Sequence, residues 1–249
     1  MSNTIETTVR SGTARSRPGR TIAFTVGLLG IALLAQIIVG AVASVSYLSL
    51  GGAFENPWAV VILTIPTQFV LLGVGYLFVT RYLNGLRAAV PSRTQLGLVA
   101  GATVLMLALN AAGNLALSRA GVVTPPDAML IAASAQPLIL LAFAVLSLVL
   151  VGPAEELLFR GAVQGNLRTA FGPAVAIGAT AVVFGLIHVS NFLAVGAPLT
   201  VAVWASIGLV VLNGVIYGGL YERTGNLTIP ILAHGLFNAV GFVFYFVTI

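Results

Sequence analysis

What most constrains this chain is a succession of apolar runs, each about as long as the 20 or so residues a helix needs to cross a bilayer. The runs cover residues 21–48, 58–80, 96–117, 174–195, 199–220 and 227–249, with a longer apolar region after Thr124-Pro125-Pro126-Asp127 that continues to Phe159. That region is interrupted by Pro137 and Pro153, so it reads as an entering segment followed by a kinked span. The expected fold is all-α, a polytopic transmembrane helical bundle of about seven spans.

Composition supports this. The 249 residues are 59% hydrophobic and 7% charged, far below the roughly 25% charged content of soluble domains. Residues 1–20 are polar and hold Arg10, Arg15, Arg17 and Arg20, which reads as a disordered cytoplasmic tail. Residues 21–249 then form a single transmembrane domain. The run at 21–48 exceeds a signal-peptide core of about 7–15 residues and is taken as an uncleaved first span. With the N-terminus inside, the arginines fall on the cytoplasmic side, Arg119 apart. They orient a multi-pass protein in the cell membrane and are no footprint for nucleic acid. Cysteine is absent, which excludes thiolate nucleophiles and Cys-ligated metals.

Against this background the charged and imidazole groups stand out. Glu155 and Glu156 are adjacent inside an apolar stretch, and the only two histidines, His188 and His234, also fall within apolar runs. Ionisable groups at such depth are costly and mark functional sites by default. If Phe171-Gly172 is the corner between two antiparallel helices, Glu155 and His188 each lie about 24 Å from it, at one depth. His234 and Asn238 come to within roughly 10 Å of that level and, four residues apart, share a helix face. Glu156 and Arg160 are also four apart, acid first, so Arg160 neutralises Glu156 and leaves Glu155 free to face the other helices. The expected roles follow: Glu155 chemical, the Glu156–Arg160 pair supporting. A carboxylate in an apolar cavity can take a proton from water and return it to a leaving amine, with His234 and Asn238 as donors to an oxyanion. Asn110, Asn114, Asn191 and Asn213 read as interhelical glue, Phe184 as packing, and Gln164 with Arg168 as a solvated face.

Three motifs carry a family resemblance. Glu155-Glu156-Leu157-Leu158-Phe159-Arg160 resembles EExxxR, Phe184-Gly185-Leu186-Ile187-His188 resembles FxxxH, and His234-Gly235-Leu236-Phe237-Asn238 resembles HxxxN. In that order they are similar to the CPBP family of CAAX-processing and bacteriocin-processing intramembrane endopeptidases, also called Abi. The resemblance implies a catalytic core at about 130–249, with Glu155 and His188 activating water and His234 and Asn238 supporting the oxyanion. It also implies a peptide, or a prenylated or other membrane protein, as substrate. Residues 1–130 carry no matched motif.

The expectation is therefore an intramembrane endopeptidase, of glutamate or metalloprotease type, acting on a membrane-associated or lipid-modified protein or peptide. If zinc is present, Glu155, His188 and His234 are its ligand set. HExxH is absent, and a metal-independent scheme is preferred. The alternatives are a non-catalytic peptide-binding scaffold or bacteriocin self-immunity factor, and a proton-coupled transporter, for which no inverted repeat is visible.

Overall fold

A computed structural model describes residues 17–83 and 85–249. Most of the Arg-rich tail, including Arg10 and Arg15, lies outside the described residues. Pro18, Gly19 and Arg20, assigned to that tail from sequence, are instead helical.

Among the described residues the elements are all helical: α1 (Pro18–Ser49), α2 (Ala59–Tyr82), α3 (Arg93–Arg119), α4 (Ala128–Ala135), α5 (Leu138–Leu167), α6 (Pro173–Leu193), α7 (Val201–Thr224) and α8 (Thr228–Thr248). All but the short α4 are long and apolar enough to cross a membrane. The many exposed large apolar side chains, such as Ile31, Leu33 and Leu34 on α1, are those of a surface that meets lipid. This is a multi-pass membrane protein.

The helix boundaries follow local chemistry. Pro18 starts α1, where its missing N–H is no loss. Ser92 and Gln95 close a capping box on α3, Asp127 caps α4 through the Leu130 N–H, and Gly225 ends α7 with a left-handed φ of 60°. Pro137 separates α4 from α5 as expected. Pro153 acts differently: the chain stays helical through it, because the hydrogen-bond ladder widens. Ser147–Val151 and Leu157–Gln164 are π-helical, on either side of the α-helical Gly152–Glu156. Proline lacks an N–H and crowds the carbonyl four residues back, and a wider turn relieves both.

α5 is the hub. Half of its most apolar stretch is buried inside the protein, against 17–39% for the other six spans. It is flanked by α2, α6, α7 and α8. Two close backbone approaches set its neighbours. A Cβ on Gly75 of α2 would come within 2.9 Å of the Leu158 amide nitrogen, so glycine is required there. On the other flank a Cβ on Gly152 would sit 3.3 Å from Ile231 O of α8, besides 2.7 Å from Ser147 O of its own helix, and one on Gly235 of α8 would sit 3.0 Å from Ser147 O of α5. Helices α5 and α8 therefore meet at two glycines that neighbour Glu155 and His234 in sequence.

A polar ladder fixes the register of α5 against α7. Arg160 Nη2 donates to Gly214 O (3.1 Å), Gln164 Nε2 donates to Gly218 O (3.1 Å), and Arg168 Nε donates to the Glu222 carboxylate (3.0 Å). Residues four apart stay near one helix face, so each rung repeats the last. Sequence reading placed Gln164 on a solvated face. It is 1% exposed, because α7 covers it; only Arg168, at the end of the ladder, reaches the surface.

Candidate active site

The motif residues converge as the corner geometry predicts. Glu155, His188, His234 and Asn238 line one cavity of about 390 Å³ between α2, α5, α6, α7 and α8, with Asp127, Ala128 and Met129 of the α4 end on its wall. That volume suits a small-molecule or peptide-sized ligand.

Glu155 is buried. Its Oε2 has no hydrogen-bond partner among the described residues and lies 4.0 Å from His234 Nε2; its Oε1 lies 3.5 Å from Gln68 Nε2. Glu156 turns the other way, as adjacent helix positions must. Its Oε1 accepts from Arg160 Nη1 (2.9 Å) and from His234 Nδ1 (2.8 Å). The expected i,i+4 ion pair is thus present, with both side chains fully buried. Its second task was not expected: it holds the ring of His234.

That hydrogen bond fixes the roles of the two ring nitrogens. A carboxylate oxygen only accepts, so His234 Nδ1 carries a proton, and Nε2 is the nitrogen turned toward Glu155. For Nε2 to donate as well, the ring must hold both protons. Tyr217 stacks on the imidazole at 4.8 Å and 15°, and Phe184 meets it edge-on at 5.8 Å and 89°. The Arg160 guanidinium lies over both rings, 4.5 Å from Phe184 and 5.1 Å from Tyr217. Phe184, read from sequence as packing, is the aromatic post between these groups.

His188 is oriented by its own backbone. The helix tightens here, with His188 N–H reaching Gly185 O three residues back, while Phe184 O accepts from His188 Nδ1 at 2.8 Å. A carbonyl cannot donate, so neutral His188 is protonated on Nδ1 and offers a lone pair at Nε2. Asn238 is half-buried, one turn beyond His234 on the same face. Asn213, set aside as glue, does accept from Asn110 Nδ2 at 3.0 Å, but both Asn213 and Asn191 also line the cavity.

As a zinc set, the residues present do not fit: among the described residues no three His, Cys, Asp or Glu side chains converge closely enough to hold a metal ion.

Two cavity residues that touch the motif side chains, Tyr217 and Gln68, lay outside the motifs and were not singled out from the sequence. Tyr217 had no sequence signal beyond being an aromatic in a span rich in Gly and Val. Gln68 had one: the buried face of α2 is Val61, Gln68, Leu71, Gly75, Phe78 and Val79, and only position 68 is polar.

Residues 137–240 match the family model described as Type II CAAX prenyl endopeptidase Rce1-like. Over that stretch the chain is similar to the CAAX-protease, or CPBP, family. All three motifs lie inside the matched span, and the family is one of intramembrane proteases. No curated protein and no solved structure matches the chain. The matched segment holds every catalytic candidate named from the sequence, whereas Gln68 on α2 is supplied from outside it.

Proposed function

We propose that the chain is a glutamate-driven intramembrane endopeptidase that hydrolyses a peptide bond of a membrane-associated or lipid-modified protein or peptide. The observation that supports it best is Glu155 itself. It is a buried carboxylate in a bundle surrounded by lipid, with one oxygen unpaired, on a cavity wall shared with His188, His234 and Asn238. Glu156 is engaged by Arg160 and His234 away from the cavity wall, whereas Glu155 lines the cavity with an oxygen that no described residue bonds, as a group that must accept a proton requires.

Glu155 and the Nε2 lone pair of His188 draw a proton from a water molecule as its oxygen attacks the scissile carbonyl carbon. The C=O π pair moves onto oxygen, where doubly protonated His234, through Nε2–H, and the Asn238 amide donate to the developing charge. Glu156 accepts from Nδ1 of that imidazolium and balances its charge across the ring. The proton held by Glu155 then passes to the amide nitrogen, the C–N bond breaks, and the amine leaves.

The test is Glu155→Gln, which keeps shape but cannot take the proton. Cleavage of an internally quenched farnesylated CAAX peptide, or of a membrane-tethered peptide, in proteoliposomes should fall by at least about 10²-fold, the usual contribution of a general base, while the protein elutes from size exclusion as the parent does. Wild-type turnover by this variant would refute the mechanism.

A further inference from the structure

We infer that Gln68 is a positioning residue of the reaction: its side-chain amide holds the Glu155 carboxylate in its working orientation, from a helix outside the family-matched segment. The inference rests on the glutamate-driven reading above.

Gln68 lines the cavity and is the only polar side chain among the buried residues of α2. Its Nε2 lies 3.5 Å from Glu155 Oε1. Because a carboxylate oxygen only accepts, the amide must present its NH₂ there, which leaves its carbonyl oxygen turned away. That oxygen is buried and has no hydrogen-bond partner among the described residues. An amide satisfied on one side only is a poor choice for stability, since a leucine or methionine at position 68 would continue the apolar seam without the desolvation cost. The arrangement makes sense for Glu155. Gln68 engages Oε1, so the opposite oxygen, Oε2, is the one directed toward His234 Nε2 and left free for the proton.

The backbone makes this contact dependable. Gly75, seven residues or two turns further along the seam, packs directly on the backbone at Leu157 and Leu158. α2 is therefore clamped to α5 just past the carboxylate, and a side chain as long as glutamine reaches Glu155 from two turns away. A side chain of this length is also what the distance needs: a hydroxyl would be too short.

The experiment compares wild type with Gln68→Met, Gln68→Glu and Glu155→Gln in full-length protein reconstituted in vesicles. Infrared difference spectra against Glu155→Gln identify the Glu155 carboxyl band. In Gln68→Met that band should shift, because one donor is gone, while the unfolding temperature stays at or above the parent's. With the internally quenched farnesylated CAAX peptide as probe, Gln68→Met should lower kcat about tenfold with KM within twofold. Gln68→Glu, isosteric but anionic, should lower kcat further. An unmoved Glu155 band or an unchanged kcat in Gln68→Met overturns the inference while leaving the glutamate mechanism standing. Full activity in Glu155→Gln overturns the mechanism instead. If the peptide is not turned over by wild type, the infrared band alone decides.

Discussion

Two neighbouring glutamates, chemically identical, end up with opposite duties because a helix turns about 100° between them. Glu156 faces Arg160 and His234 and bonds both through one oxygen; Glu155 instead lines the cavity. Removing the partner of a buried charge is more damaging than removing the pair. Arg160→Met should therefore destabilise the protein by about 3–5 kcal/mol, seen as a lowered unfolding temperature in detergent, and the double variant Arg160→Met/Glu156→Met should recover part of that loss. Glu156→Gln keeps an acceptor for both partners but removes the charge beside His234. It should cost about tenfold or more in turnover, the worth of one charge-assisted hydrogen bond, with a smaller effect on folding. If Glu156→Gln were fully active, the imidazolium role of His234 would have to be abandoned. The motif residues and the Glu156–Arg160 pair were readable in the sequence because charge is so rare in it. The bond from Glu156 to His234, spanning 78 positions, was not, since nothing in either helix alone says which carboxylate the ring will meet.

At the scale of elements, the site exists because α5 can be approached closely from two directions. Gly235→Ala would bring a Cβ to 3.0 Å from Ser147 O of α5, and Gly152→Ala would bring one to 3.3 Å from Ile231 O of α8 and 2.7 Å from Ser147 O of its own helix, so α5 and α8 must part and carry Glu155 and His234 away from each other. Each change should cost about 1–3 kcal/mol, as overpacking does, and abolish most cleavage. Gly178→Ala on α6 is the matched control: its Cβ would meet nothing within 4 Å, and the loss of backbone freedom in the unfolded chain should leave stability unchanged or raised by up to about 1 kcal/mol. Thermal unfolding in detergent reads both. Sequence predicted helices and their approximate ends, and even the corner at Gly172. The π-helical turns around Gly152–Glu156 and the burial of Gln164 escaped it. The first depends on how the crowded carbonyl at Pro153 is relieved, the second on α7 lying over that face, and both are decided by neighbours distant in sequence.

For the whole molecule, the position of the cavity and the direction of the chain combine into a statement about access. The cavity wall includes the start of α4, which follows the third span. If the N-terminus is cytoplasmic, as the arginine bias suggests, an odd number of crossings puts α4 on the opposite side, and substrate reaches Glu155 from there. The chain has no cysteine, so a single Asp127→Cys variant reports this directly. A membrane-impermeant maleimide should label it in intact cells, whereas Arg223→Cys, exposed in the last turn of the sixth span, should label only after the membrane is opened. The reverse pattern would invert the topology. The sequence by itself determined that this protein is a bundle of about seven membrane helices bearing an acid, two imidazoles and an amide at compatible depths. Hydrophobic length and rise per residue are properties of each helix alone. Only the tertiary structure decided which carboxylate lines the cavity, which ring nitrogen faces it, and that α2 adds Gln68 to the group. Those outcomes depend on rotation and close contact between helices, and such contacts are set where glycines let separate backbones touch.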